Sequence, residues 1–86
     1  MDTLWMLTGR YQGLPLVPVD RIVEDFFPHL SKTNFLRKVA DGQIALPLVN
    51  IEASQKSAKA VHLTDLASYV DARRAEAKRE FDHFHN

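Results

Sequence analysis

Apolar residues fall along this chain in short blocks, and each change in their spacing marks an element. Leu4-Trp5-Met6-Leu7 is a compact cluster closing near Gly9, readable as a helical turn or a strand. Between Gly13 and Pro18, Pro15 and Pro18 fix φ and remove backbone donors, so that segment is predicted to be extended and at a sheet edge. Asp20 then reads as the N-cap of a helix whose Ile22, Val23, Phe26 and Phe27 recur at helical spacing. Pro28 stops it. Only His29 and Leu30 separate that stop from Ser31, the cap of a second helix that runs to Asp41 and ends at Gly42. Two helices joined by so short a gap suit a helix-turn-helix.

Within the second helix Phe35, Leu36 and Val39 point inward, leaving Lys32, Asn34, Arg37, Lys38 and Asp41 largely on the other faces. The apolar run Ile44 to Ile51 is predicted to be a strand, interrupted by Pro47 and therefore at an edge. Glu52 to Lys59 is polar and basic and lacks any Asn-Gly or Asp-Gly pair, so a longer, mobile loop is expected there rather than a tight turn. Ala60 to Leu63 is its partner strand. Thr64 is expected to cap the last helix, whose core face is Leu63, Leu66, Ala67 and Val70. Beyond Asp71 that stripe thins to alanines between charges, with Phe81 and Phe84 past them. The expected fold is α+β: a small winged helix-turn-helix domain with a long C-terminal helix. It forms one domain over residues 1–86, of which 72–86 are a helical extension and tail.

Length changes this picture in one respect. A chain of 86 residues buries only roughly 60–65% of its unfolded surface, so a partner or a dimer adds stability. Charge changes it more. The formal net charge is zero, which excludes the gross basicity of a histone-like binder. Its distribution is uneven. Residues 31–62 carry Lys32, Arg37, Lys38, Lys56 and Lys59 against Asp41 and Glu52, a local excess of +3, while residues 1–30 sum to −2 and 63–86 to −1. Positive charge therefore gathers on the helix and loop that a nucleic-acid binder would use. No cysteine is present, which excludes disulfides and thiolate metal sites. With no apolar run near ~18 residues and no basic leader, the expected setting is the cytoplasm.

The candidate chemistry is recognition. Lys32, Thr33 and Asn34 open the second helix, with Arg37 and Lys38 one turn later, the placement from which a recognition helix meets base edges. Arginine reads guanine bidentately and asparagine reads adenine, whereas Lys32 and Lys38 suit phosphates. In the loop, Ser54, Gln55, Lys56, Ser57 and Lys59 suit backbone contact better than base readout. The plainer account of both segments is a solvated amphipathic helix and a solvated loop. His62 reads as a structural hydrogen-bonding residue. His83 and His85 flank Phe84 at a spacing that could touch a metal on an extended strand, but no third ligand lies nearby and surface residues are expected. Asp20, Glu24 and Asp25 cluster at a helix start, where the helix dipole accounts for them. With no Gly-rich phosphate loop, nucleophile elbow or metal cluster, the chain does not read as an enzyme and calls for no cofactor.

The order of motifs resembles the pyocin activator protein family, small phage-related transcription activators of bacteria. The residues that carry the likeness are Val17-Pro18-Val19-Asp20, Phe35-Leu36-Arg37-Lys38-Val39, Leu46-Pro47, Ser54-Gln55-Lys56-Ser57-Ala58-Lys59 and Val61-His62-Leu63-Thr64-Asp65-Leu66-Ala67. It covers about Leu4 to Arg74. The layout is also similar, more generally, to excisionase-like and MerR-like winged-helix domains. The resemblance implies a sequence-specific activator bound to double-stranded promoter DNA of a pyocin-like or prophage gene cluster, in the bacterial cytoplasm at the nucleoid.

Two other functions fit the residues: an excisionase-like DNA-bending recombination factor, and a phage-encoded regulator that binds a protein and no DNA. RNA polymerase is a further expected partner, through the acidic first helix or the Leu4–Leu7 cluster. A homodimer is expected through Tyr69, Ala72, Ala75 and Phe81.

Overall fold

The computed structural model describes residues 2–54 and 56–85. In chain order it comprises α1 (Thr3–Arg10), β1 (Leu16–Pro18), α2 (Val19–Phe26), α3 (Lys32–Ala40), β2 (Val49–Asn50), β3 (Lys59–His62) and α4 (Leu63–His85). The three strands form an antiparallel sheet in the order β1-β3-β2. Val17 lies opposite Val61 and Asn50 opposite Lys59. This is an α+β fold with four helices, compatible with a winged helix-turn-helix. No described helix is long and apolar enough to cross a membrane.

The Leu4–Leu7 cluster is a helix. Asp2 caps it by accepting from the Trp5 N–H at 2.7 Å, and Leu7 and Tyr11 turn into the core. α1 packs along the start of α4, and the Thr3 hydroxyl donates to Asp71. The core is built on Val17, Ile22, Phe35, Val61 and Leu66, all fully buried and drawn from the sheet, α2, α3 and α4.

Four local expectations are corrected. Asp20 does not cap α2: the helix begins at Val19 behind Pro18, whose φ of −55° already suits the approach, and Asp20 lies in the first turn. The apolar run from Ile44 is not a continuous strand. Only Val49–Asn50 form a strand, while Ile44 and Leu46 bury their side chains from irregular backbone ahead of Pro47, which has no N–H for a ladder. Thr64 does not cap α4. The helix begins at Leu63, and the Thr64 N–H donates to His62 Nδ1 at 3.1 Å, so the histidine takes the capping role.

The fourth correction concerns the expected dimer set. Tyr69 is half-buried with its ring 5.9 Å from that of Phe27, so it serves this chain's own core. Ala72 and Ala75 lie around the helix from Phe81 rather than beside it, because successive residues turn by about 100°.

Candidate nucleic-acid interface

Geometry at α3 starts with its caps. The Ser31 side chain accepts from the Asn34 N–H at 3.1 Å, fixing the first turn. At the other end Gly42 adopts φ +78°, and the bonds Gln43 N–H to Lys38 C=O and Gly42 N–H to Val39 C=O form a Schellman closure. Such a turn needs the left-handed conformation that glycine enters without a Cβ penalty. The helix is thus a defined length of nine residues.

What aims it is an aromatic cluster. Phe27, at the end of α2, sits 5.0 Å from Phe35 of α3 and 5.9 Å from Tyr69 of α4, tilted against both. Phe35 is fully buried, with Leu36 and Val39 packed beside it. The opposite face therefore points outward: Lys32, Thr33, Asn34 and Arg37 are all exposed. Arg37 lies 3.4 Å from Asn34 Oδ1, so the two side chains best suited to base edges sit side by side one turn apart.

Lys32 is placed differently from Arg37. Its ammonium pairs with Asp20 at 3.0 Å, tying the first turn of α3 to that of α2. Both partners are exposed, so the pair is weak and the lysine can exchange it for a phosphate. Lys38 departs from the expectation of a fully outward residue. It is half-buried and lines a cavity of about 390 Å³ with Phe26, His29, Gln43 and Tyr69, off the flank of the Asn34–Arg37 face.

The loop between β2 and β3 is a structured turn in its described part. Ile51 N–H bonds Ala58 C=O at 3.0 Å, extending the ladder by one step. Ser57 Oγ accepts from Glu52 N–H at 3.1 Å and donates to Ala58 C=O, while Ser54 Oγ accepts from Lys56 N–H. The two serines thus brace the loop backbone, a role that spacing alone did not show. Lys56 is exposed at the tip. Gln55 lies outside the described residues.

Lys59 sits at the base of the loop and donates to Asn50 Oδ1 at 2.8 Å across the strand pair. Asn50 was not among the sequence candidates; its signal is the one amide closing the apolar run Ile44–Val49. α3 packs on α2, and the loop is carried by the sheet, so the two candidate segments reach the surface from different elements of one core. No group of His, Asp or Glu able to hold a metal is found among the described residues. His83 and His85 are on a helix, not a strand, where a spacing of two turns them to different sides, and His85 stacks on Phe81.

A family model described as pyocin activator protein PrtN matches residues 3–77. The chain belongs to the pyocin activator family. The match spans every element named above up to the middle of α4 and includes both α3 and the β2–β3 loop. Membership suggests a role in transcription activation, which is not an enzymatic class. No curated protein and no solved structure matches the chain significantly.

Proposed function

We propose that this protein is a sequence-specific transcription activator that binds double-stranded promoter DNA of a phage-related gene cluster through a winged helix-turn-helix. The observation that carries the reading is the outward face of α3. A short helix, capped at both ends and set by the Phe27–Phe35 contact, presents Thr33, Asn34 and Arg37 from exposed positions directly after a brief turn. The element order α1-β1-α2-α3-β2-β3 and the strand order β1-β3-β2 support a wing next to a recognition helix.

In this account α3 enters the major groove, with Asn34 and Arg37 on base edges and Thr33 and Lys32 at the adjoining phosphates. Lys56 and Lys59 hold the backbone from the wing, braced by Ser54 and Ser57, and Lys38 supplies a phosphate contact from the flank of the helix. Trp5 and Met6, 64% and 52% exposed on α1, offer an apolar surface for RNA polymerase. The protein acts in the bacterial cytoplasm at the nucleoid.

Footprinting on fragments upstream of the neighbouring genes, paired with a promoter reporter, tests this reading. Protection of a promoter, and loss of both protection and reporter output in the Arg37→Ala/Lys56→Ala variant with an unchanged fold, is the expected result. Protection of an attachment site instead would assign a recombination factor. Full activity of the double variant would overturn DNA recognition by these segments.

A further inference from the structure

The cations of the candidate interface are held in two ways. Arg37 donates to the Asn34 amide and Lys59 to the Asn50 amide, both neutral acceptors. Lys32 instead meets a carboxylate, with Asp20 Oδ1 3.0 Å from its ammonium. An amide leaves the cation's charge in place for a ligand, whereas a carboxylate offsets the charge that draws a phosphate. Asp20 does not cap α2. As a first-turn acid it suits the helix dipole, and from there it reaches across the inter-helix turn to the first turn of α3. The other charges of α2 offset one another, Arg21 against Glu24 and Asp25 against Arg10 of α1. Asp20 is therefore the charge that α2 adds at the start of α3.

The strength of the pair separates two kinds of DNA. With the Lys32 and Asp20 side chains 57% and 72% exposed, the bond is weak enough to open to a phosphate set beside it. Binding to unrelated sequence is supplied almost entirely by phosphate contacts. There, with no base contact to hold the start of α3 against the backbone, Lys32 stays with Asp20. On a matching sequence Asn34 and Arg37 engage base edges and seat the helix, and a phosphate then takes Lys32 from Asp20.

We propose that Asp20 is a specificity-determining residue, which withholds Lys32 from the DNA backbone until α3 is seated in its groove. This role presupposes that α3 is the recognition helix proposed above. Discrimination of this kind weakens the wrong complex and adds no contact to the right one.

Fluorescence anisotropy on the specific upstream fragment and on unrelated DNA, over a salt series, is the test, with circular dichroism as the check on folding. Asp20→Asn keeps the side chain's shape and should tighten binding to unrelated DNA by about two- to fivefold. It should also steepen the salt slope there by about 0.9, as one further phosphate is neutralised. The specific fragment should gain less, so the ratio between the two falls. In a Lys32→Gln background, Asp20→Asn should change neither affinity nor slope. Weaker binding by Asp20→Asn would make the pair a structural tie between α2 and α3, and an equal gain in the Lys32→Gln background would make Asp20 a diffuse repulsive charge. Either result overturns the proposal. Unchanged affinity of Asp20→Asn, in a protein whose Arg37→Ala variant loses specific binding, overturns this role alone. A wild type that binds no DNA overturns both it and the recognition helix.

Discussion

Tyr11 donates its phenolic hydrogen to Asp25 across 2.6 Å, joining the end of α1 to α2. The carboxylate's other oxygen takes Arg10 at 3.1 Å, and Arg21 lies over the Tyr11 ring, 5.0 Å from its centre. Tyr11 is almost wholly buried while Asp25 is only partly so, which makes the bond a charge-assisted one at the margin of the core. Removing the hydroxyl leaves the ring's packing in place. Tyr11→Phe should therefore cost about 1.5–3 kcal/mol, the usual worth of a hydrogen bond to a charged group. Thermal unfolding would show it as a drop of roughly 4–8 °C per kcal/mol. An unchanged midpoint would mean that Arg10 and solvent satisfy Asp25 alone.

The same pair sets a limit at high pH. Burial first, and the Asp25 carboxylate second, push the Tyr11 phenol well above its ordinary value of 10.0. Once the pH passes that ordinary value, the unfolded chain releases the proton while the folded chain keeps it, so unfolding is favoured and stability falls. Below it the two states bind the proton alike and this contribution is fully present. Denaturant midpoints measured from neutral pH to beyond 10 should decline more steeply for the wild type than for Tyr11→Phe. Parallel declines would place the linkage elsewhere.

His62 is the N-terminal acceptor of α4. Loss of a side-chain cap usually costs about 0.5–2 kcal/mol, so His62→Ala should destabilise by that amount and His62→Asn should recover part of it. Equal stability of the two variants would show that the imidazole contributes packing and not an acceptor.

Gly42 closes α3 at φ +78°. A side chain there forces a left-handed residue at a cost of about 1–2 kcal/mol, although open space surrounds the position. Gly42→Ala should lose stability without any clash, and its DNA affinity at a temperature where it is fully folded should match the wild type. A larger loss of affinity than of stability would mean that the exit of α3 itself touches the ligand.

Much of this architecture was legible because local chemistry and tertiary packing agree. Ser31 and Gly42 mark both ends of α3, and Phe35 faces inward as its spacing required. The readings that failed lie where a neighbour takes over a local role. Pro18 starts α2 without a side-chain cap, freeing Asp20 to pair with Lys32, and His62 displaces Thr64 as the cap of α4. Ile44 and Leu46 look like strand residues because burial alone makes them apolar, while Pro47 denies them a ladder. At the candidate interface the residue types were readable, but the bracing of the loop by Ser54 and Ser57 and the flank position of Lys38 depend on which way the backbone turns.

Under the proposed function the β2–β3 loop carries a quantitative expectation of its own. Lys56 stands exposed at the loop tip and is assigned to a phosphate. Each neutralised phosphate contributes about 0.9 to the slope of log affinity against log salt. Lys56→Ala should lower that slope by about this amount and weaken all sequences alike. A change confined to one sequence would make Lys56 a base reader.

The most direct test of the central claim is titration of a labelled upstream fragment with the wild type and with Arg37→Ala, at several salt concentrations and against unrelated competitor DNA. Arg37 is assigned to a base edge, so its removal should cost about 1–3 kcal/mol on the specific fragment and little on the competitor, collapsing the ratio between them. If the wild type shows no preference for any fragment, or if Arg37→Ala weakens specific and unrelated DNA equally, α3 does not read sequence.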